Sequence, residues 1–203
     1  MSVMFEKIAL LGLGLIGSSL SHAARRAGLT NHISGYARSG ETRSIALEIG
    51  IINSAHESAA DAVKDADLVV FCTPIGTYAE LAKEIAPHLK AGAILTDVGS
   101  VKGAVVRDVA PHVPLNVHFI PGHPIAGTEQ SGPRAGFATL FDNRWCILTP
   151  PPRANVEAVA KLKSFWQALG SMVDEMTPEH HDMVLAITSH LPHLIAYTIV
   201  GTA

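Results

Sequence analysis

Regularly spaced glycines near the start of the chain could hold a phosphate group. An apolar run over Lys7–Leu11 is followed by Gly12, Gly14 and Gly17 in the pattern G-x-G-x-x-G, and an apolar helical pattern begins there. Gly12 would allow the tight turn from strand to helix, Gly14 would let a pyrophosphate approach the backbone, and Gly17 would let the helix pack closely on the strand. This context predicts a dinucleotide site, whereas a tight turn without a ligand is the alternative.

Further cofactor contacts are predicted beside these glycines. The backbone N–H groups of Leu15 and Ile16 would open the helix and face the phosphate charge. Thr73 and Pro74 end another apolar run, and ligands of open α/β sheets bind at the carboxyl ends of strands. We therefore include all of these residues in the predicted cofactor site.

The end of the second strand bears on which dinucleotide binds. An NAD site usually carries Asp or Glu about 20 residues beyond the glycines, to bind the ribose 2′-hydroxyl. Ala37 stands there instead, followed by Arg38 and Ser39, and a guanidinium with a hydroxyl suits a 2′-phosphate. The residues favour NADP and leave NAD open, because losing the acid removes discrimination without requiring a phosphate.

His123 is a candidate for proton transfer. It follows an apolar run and lies between Gly and Pro residues, which would fix a loop that holds the imidazole over a nicotinamide. The alternative is a turn histidine without a role. The chain has 11 histidines, but no cysteine spacing or HExxH pattern supplies the converging ligands that zinc needs, so no metal site is predicted.

Apolar runs alternate with helical patterns, which indicates an α/β fold with a doubly wound, mostly parallel sheet and helices on both faces. Strands are expected over Lys7–Leu11, His32–Tyr36, Leu68–Thr73, Ala93–Asp97, Val117–Ile120, Trp145–Thr149 and Met172–Asp174. Helices are expected over Ile16–Ala27, Glu41–Ile49, Ser58–Lys64, Thr77–Pro87, Lys102–Ala110 and Val156–Leu169.

A second domain is expected to begin at Thr177, which can cap a helix that has Pro178 in its first turn. This divides the chain into a dinucleotide-binding domain over 1–176 and the first helix of a helical domain over 177–203. The stretch Met183–Ala203 is apolar, but ionisable His190 and His193 near its middle argue against a membrane span. The helical pattern runs to the last residue without a stop signal, so we expect further protein beyond it.

Composition narrows the class of protein. Hydrophobic residues make up 48% of the 203 residues, and the formal net charge is −3 with no Lys/Arg cluster, which gives no reason to expect nucleic acid as a partner. Cys72 and Cys146 lie far apart in apolar runs and are expected to be reduced. No signal-peptide pattern is present at the N-terminus. A cytoplasmic protein is expected.

Motifs in a characteristic order resemble the prephenate/arogenate dehydrogenase family of tyrosine biosynthesis. They are the glycine pattern from Gly12 to Gly17, the run Asp97–Lys102, the run Gly122–Glu129 and the run Ser189–His193. The resemblance implies a Rossmann domain followed by a helical domain that forms a homodimer. It also implies NAD(P)-dependent oxidation and decarboxylation of prephenate or arogenate.

The resemblance assigns roles to individual residues. His123 corresponds to the catalytic histidine, which accepts the proton of the ring 4-hydroxyl as hydride leaves the same carbon, and Ser100 to a serine close to it. Substrate contacts are implied at Thr128, His181, Ser189, His190 and His193. The family's usual cofactor aspartate is Ala37 here, and its arginine for the ring carboxylate falls beyond Ala203.

Other functional classes stay open on the residues alone. A different Rossmann reductase, of the β-hydroxyacid or imine type, would share the glycines but is not expected to carry both histidine motifs. A non-catalytic nucleotide sensor would keep the glycines and would not need His123.

Overall fold

The fold is built around a parallel sheet, and the computed structural model describes residues 3–187. The strands are β1 (Phe5–Leu11), β2 (Thr30–Tyr36), β3 (Ser54–His56), β4 (Leu68–Phe71), β5 (Ile94–Asp97), β6 (His118–Phe119), β7 (Gly122–Pro124), β8 (Trp145–Leu148) and β9 (Met172–Glu175). The helices are α1 (Leu15–Arg26), α2 (Gly40–Glu48), α3 (Ala59–Val63), α4 (Tyr78–Ile85), α5 (Lys102–Val109), α6 (Val156–Ala168) and α7 (Pro178–Leu185).

The main sheet has six parallel strands in the order β3-β2-β1-β4-β5-β6. Its order reverses between β1 and β4, which is the point where such sheets bind nucleotides at their carboxyl edge. The predicted doubly wound α/β fold is therefore confirmed. The carboxyl ends of β1, β2, β4 and β5 position the candidate site.

Both faces of this sheet are buried, because side chains alternate along each strand. In β1, Ile8 and Leu10 belong to the core cluster that includes residues of α1 and α6. Their neighbours Ala9 and Leu11 belong to the opposite cluster, with residues of α3, α4 and α5. Strands covered on two sides read as continuous apolar runs, which is why β1, β4 and β5 were recognisable in the sequence.

A second, smaller sheet corrects the expectation of a loop at His123. That residue lies in β7, which pairs antiparallel with β8, while β8 pairs parallel with β9. The strand has only three residues, follows Pro121 and ends in Pro124, so it leaves no alternating pattern to recognise. The edge strand β3 was also missed, because its three residues are polar or small and only half-buried.

The start of α7 agrees with the capping pattern. The Thr177 hydroxyl accepts a hydrogen bond from the backbone N–H of His180, and Pro178 occupies the first turn. The predicted contacts Ser189, His190 and His193 lie outside the described residues. No helix within residues 3–187 is long and apolar enough to cross a membrane.

Candidate active site

The glycine turn between β1 and α1 has the geometry of a phosphate cradle. Gly12 has φ +112°, and a methyl group there would lie 2.6 Å from the carbonyl carbon of Cys72. A methyl group on Gly17 would overlap the carbonyl oxygen of Gly12. Around Gly14, by contrast, no described atom outside the adjoining chain lies within 4 Å of the position that a methyl group would take. The first and third glycines are needed for the turn and the packing, and the second leaves space for a ligand.

The N-terminus of α1 faces this space. Gly14 is the N-cap, and among the described residues no side chain caps the helix there. The first-turn N–H groups of Leu15 and Ile16 thus have no side-chain acceptor at the cap and carry the positive end of the helix dipole. Nearby, Thr73 follows β4 and its hydroxyl lies 2.8 Å from that of Thr77. These residues fit the pyrophosphate of a dinucleotide.

The segment predicted to bind the ribose lies just beyond β2. Ala37 is buried, Arg38 is exposed, and the Ser39 hydroxyl accepts a hydrogen bond from the Thr42 N–H at 3.3 Å as the N-cap of α2. Arg43, which the sequence interpretation missed, donates to the carbonyl oxygens of Ala37 at 2.7 Å and Arg38 at 3.2 Å. This segment is therefore held by its backbone, and Arg38 is presented to solvent.

His123 is buried, with 9% of its surface exposed, and contacts a second histidine from α7. Its Nδ1 lies 2.9 Å from Nε2 of the fully buried His181. On the far side, Nδ1 of His181 lies 2.8 Å from Oδ1 of Asp182. Burial lowers the pKa of His181, against the opposing effect of Asp182, so that imidazole is neutral near pH 7.

A buried ion pair clamps the backbone immediately before His123. The Lys102 ammonium donates to Oδ2 of Asp97 at 2.5 Å and to the carbonyl oxygen of Gly122 at 2.6 Å. Oδ1 of Asp97 in turn accepts the Gly122 N–H at 3.1 Å. Burial raises the pKa of Asp97 and lowers that of Lys102, and each charge opposes the shift in its partner. Hydrogen bonds thereby hold both the backbone N–H and the carbonyl oxygen of Gly122, and this orients the side chain of the next residue, His123.

Ser100 and Thr128, two further predicted site residues, lie on exposed segments, whereas His181 is buried. Ser100 is exposed in the turn between β5 and α5, and the preceding Gly99 N–H donates to Asp97 at 2.7 Å. Thr128 is exposed, with its hydroxyl accepting from the Gln130 N–H at 3.2 Å. His181, expected to contact substrate, lies between His123 and Asp182 in the described part of the chain.

The sequence analysis included Asp97 and Lys102 in a motif without giving them a role, and it did not single out Asp182. A usable signal existed for the first of these, because a carboxylate at the end of a buried apolar strand needs a partner. For Asp182 no signal existed, since its partners are distant in sequence. Among residues 3–187, no group of three or more His, Cys, Asp and Glu side chains could hold a metal ion.

Comparison with known proteins identifies relatives along the whole chain. A family model described as prephenate dehydrogenase, nucleotide-binding domain, matches residues 20–175, and one described as prephenate dehydrogenase, dimerization domain, matches residues 177–203. The cyclohexadienyl dehydrogenase of Zymomonas mobilis is 40% identical over 198 residues, which cover 98% of this chain and 67% of that protein. The prephenate dehydrogenase of Bacillus subtilis is 35% identical over 201 residues, and the chain spans only 54% of its length.

A solved structure extends the similarity to three dimensions. The crystal structure of prephenate dehydrogenase from Aquifex aeolicus, in complex with hydroxyphenyl propionate and NAD+, superposes with a TM-score of 0.90 at 35% identity. The superposition covers 100% of this chain and 70% of that one.

Proposed function

Because this chain belongs to the prephenate dehydrogenase family, we propose that it carries out the NAD(P)-dependent oxidative decarboxylation of prephenate, arogenate or both. The strongest support is the 40% identity to a cyclohexadienyl dehydrogenase over nearly the whole chain. The Aquifex relative binds NAD+ and a hydroxyphenyl compound, and a hydroxyphenyl ring is what the proposed reaction would form.

We propose His123 as the general base. Hydride loss from the carbinol carbon of the ring is helped when the hydroxyl proton is removed in the transition state, and His123 accepts that proton. A positioned base of this kind contributes roughly 10²–10⁴-fold. Nicotinamide, when bound, supplies the hydride acceptor. Loss of CO₂ from the quaternary carbon on the opposite side of the ring, para to the carbinol carbon, makes the ring aromatic, which drives the reaction forward.

The other residues bind and orient. Gly12, Gly14 and Gly17 with the first-turn N–H groups of α1 would hold the pyrophosphate. Ser100 and Thr128 are proposed near the reacting ring, on the turn after β5 and the segment after β7. The contacts proposed for Ser189, His190 and His193 belong to the second domain, which we propose begins at Thr177.

For the cofactor we propose a preference for NADP over NAD. Ala37 stands where NAD-binding domains usually place an acid and supplies no carboxylate for a ribose 2′-hydroxyl, and the exposed Arg38 follows it. Arg43 holds the same segment through the carbonyl oxygen of Ala37, and its guanidinium pairs with Glu57 at 3.0 Å. The exposed guanidinium of Arg38 would stabilise a 2′-phosphate through charge-assisted hydrogen bonds.

The test is a direct assay of the protein with prephenate and arogenate, each with NAD+ and NADP+, following the absorbance of the reduced nicotinamide. Formation of reduced cofactor with a cyclohexadienyl substrate, and none with simple hydroxy acids or cyclic imines, is expected. Activity with hydroxy acids or imines instead would assign the chain to another class of reductase. Dinucleotide binding without turnover of either substrate would indicate a sensor.

A further inference from the structure

Asp182 caps a helix to which it does not belong. Its Oδ1 accepts the backbone N–H of Lys102 at 2.7 Å, and its Oδ2 accepts that of Gly103 at 2.8 Å. These are the first residues of α5, whose own N-cap Val101 makes no side-chain capping bond in the described structure. The first N–H groups of a helix lack intrahelical acceptors, so α7 completes the start of α5.

The same carboxylate determines which nitrogen of His181 carries the proton. Partial burial would raise the pKa of Asp182, but the hydrogen bonds from Gly103, His181 and Lys102 outweigh it and lower the pKa. The group is therefore ionised at neutral pH and can only accept. His181 must donate from Nδ1 to Asp182, and its neutral ring then presents the Nε2 lone pair to His123.

The tautomer of His181 determines the tautomer of His123. Its Nδ1 faces the lone pair of His181 at 2.9 Å, so Nδ1 of His123 must carry the hydrogen. A neutral imidazole has one protonated nitrogen, and Nε2 of His123 is therefore the basic one. The opposite tautomer would place two lone pairs, or two hydrogens, against each other.

We infer that His181 and Asp182 are positioning residues, which hold His123 in the tautomer whose Nε2 is the base and tie that choice to the first turn of α5. The inference rests on the proposed function in one respect, namely that His123 removes the substrate proton. Lys102 joins the two halves of the arrangement, because its backbone N–H binds Asp182 while its ammonium holds Gly122, next to His123. An orienting partner of this kind controls tautomer without itself touching substrate.

The first measurement needs neither substrate nor variant. Imidazole ¹⁵N chemical shifts of the protein near neutral pH should show both His123 and His181 protonated at Nδ1, the less common tautomer of free histidine. The His123 resonances are assigned by their loss in His123→Asn. Protonation of His123 at Nε2 in the unmodified protein would overturn the inference, even if the enzyme is fully active.

A matched pair of variants tests the role in turnover. His181→Phe keeps a ring of similar size but offers no acceptor, so His123 should return to the Nε2–H tautomer and kcat should fall by about 10²-fold or more, the general-base factor. His181→Gln places an amide oxygen near the former Nε2 position and should preserve the Nδ1–H tautomer and most of kcat. Dinucleotide affinity should stay unchanged in both.

Two further outcomes distinguish the positioning role of His181 from the proposed function. Full kcat in a folded His181→Phe protein would refute the positioning role and leave the proposed function intact. The expected tautomers in a protein that oxidises neither prephenate nor arogenate would refute the proposed function and leave the arrangement of histidines intact.

Discussion

At the scale of single residues, the proposed reaction depends most on His123, the proposed general base. Replacing it with Asn keeps a polar side chain in the clamped strand β7 but removes the base, so kcat should fall by about 10²-fold or more. Dinucleotide affinity, measured by fluorescence titration, should not change. His112→Asn, at a partly buried histidine after α5, is a matched control. Near-normal kcat in His123→Asn would exclude His123 as the base.

Arg38 is the residue on which the cofactor preference depends. Its exposed guanidinium has no acidic neighbour at Ala37, so it can serve a 2′-phosphate. Arg38→Ala should raise the KM for NADP+ by about 10- to 100-fold, the worth of a hydrogen bond to a charged group, and should leave the KM for NAD+ nearly unchanged. Arg107→Ala, which removes an exposed arginine paired with the adjacent Asp108, is the control. An equal effect on both cofactors would show that Arg38 does not discriminate.

At the scale of elements, two glycines of the β1–α1 turn are expected to have different roles, Gly17 in stability and Gly14 in dinucleotide binding. A methyl group on Gly17 would overlap the Gly12 carbonyl, whereas one on Gly14 would meet no described atom within 4 Å outside the adjoining chain. Gly17→Ala should therefore lower the free energy of unfolding by about 1–3 kcal/mol or more, the cost of overpacking.

Gly14→Ala, the matched variant, should cost less than about 1 kcal/mol as an N-cap change but weaken dinucleotide binding. Chemical denaturation and a binding titration on both proteins would check this. Tight dinucleotide binding by Gly14→Ala would contradict the phosphate cradle.

The buried pair Asp97–Lys102 works at the same scale, because it joins the end of β5, the start of α5 and β7. Removing one partner of such a pair leaves a buried charge uncompensated, which typically costs 3–5 kcal/mol. The pair contributes to the orientation of Gly122 as well as to stability. The clamp fixes Gly122, and with it the strand that carries His123.

At the scale of the whole molecule, we propose a homodimer formed through the second domain. Residues 177–203 match a dimerization-domain model, and α7 leaves Met183 57% exposed, with Ile187 just beyond it 63% exposed. Light scattering on the full-length protein should give the mass of a dimer. Ile187→Asp should shift it towards monomer, while Leu115→Asp, on a fully exposed leucine of the first domain, should not. A stable monomer at micromolar concentration would contradict the proposal.

Local features of this protein could be predicted from its sequence. The glycine turn, the strands buried on both faces and the capped start of α7 each depend on residues within a few positions of one another. Their signals are conformational freedom, side-chain alternation and a capping hydroxyl followed by proline. The doubly wound fold follows from these elements in order.

Only the tertiary structure decided what surrounds His123. Its hydrogen bond to His181 spans 58 positions, and the bond between Lys102 and Asp182 spans 80. No periodicity or local motif relates residues so far apart, because their meeting depends on how α5, α7 and the β7–β8 pair pack together. The same packing placed β7 in a second sheet rather than in a loop. Packing of distant elements therefore determined which nitrogen of His123 faces His181.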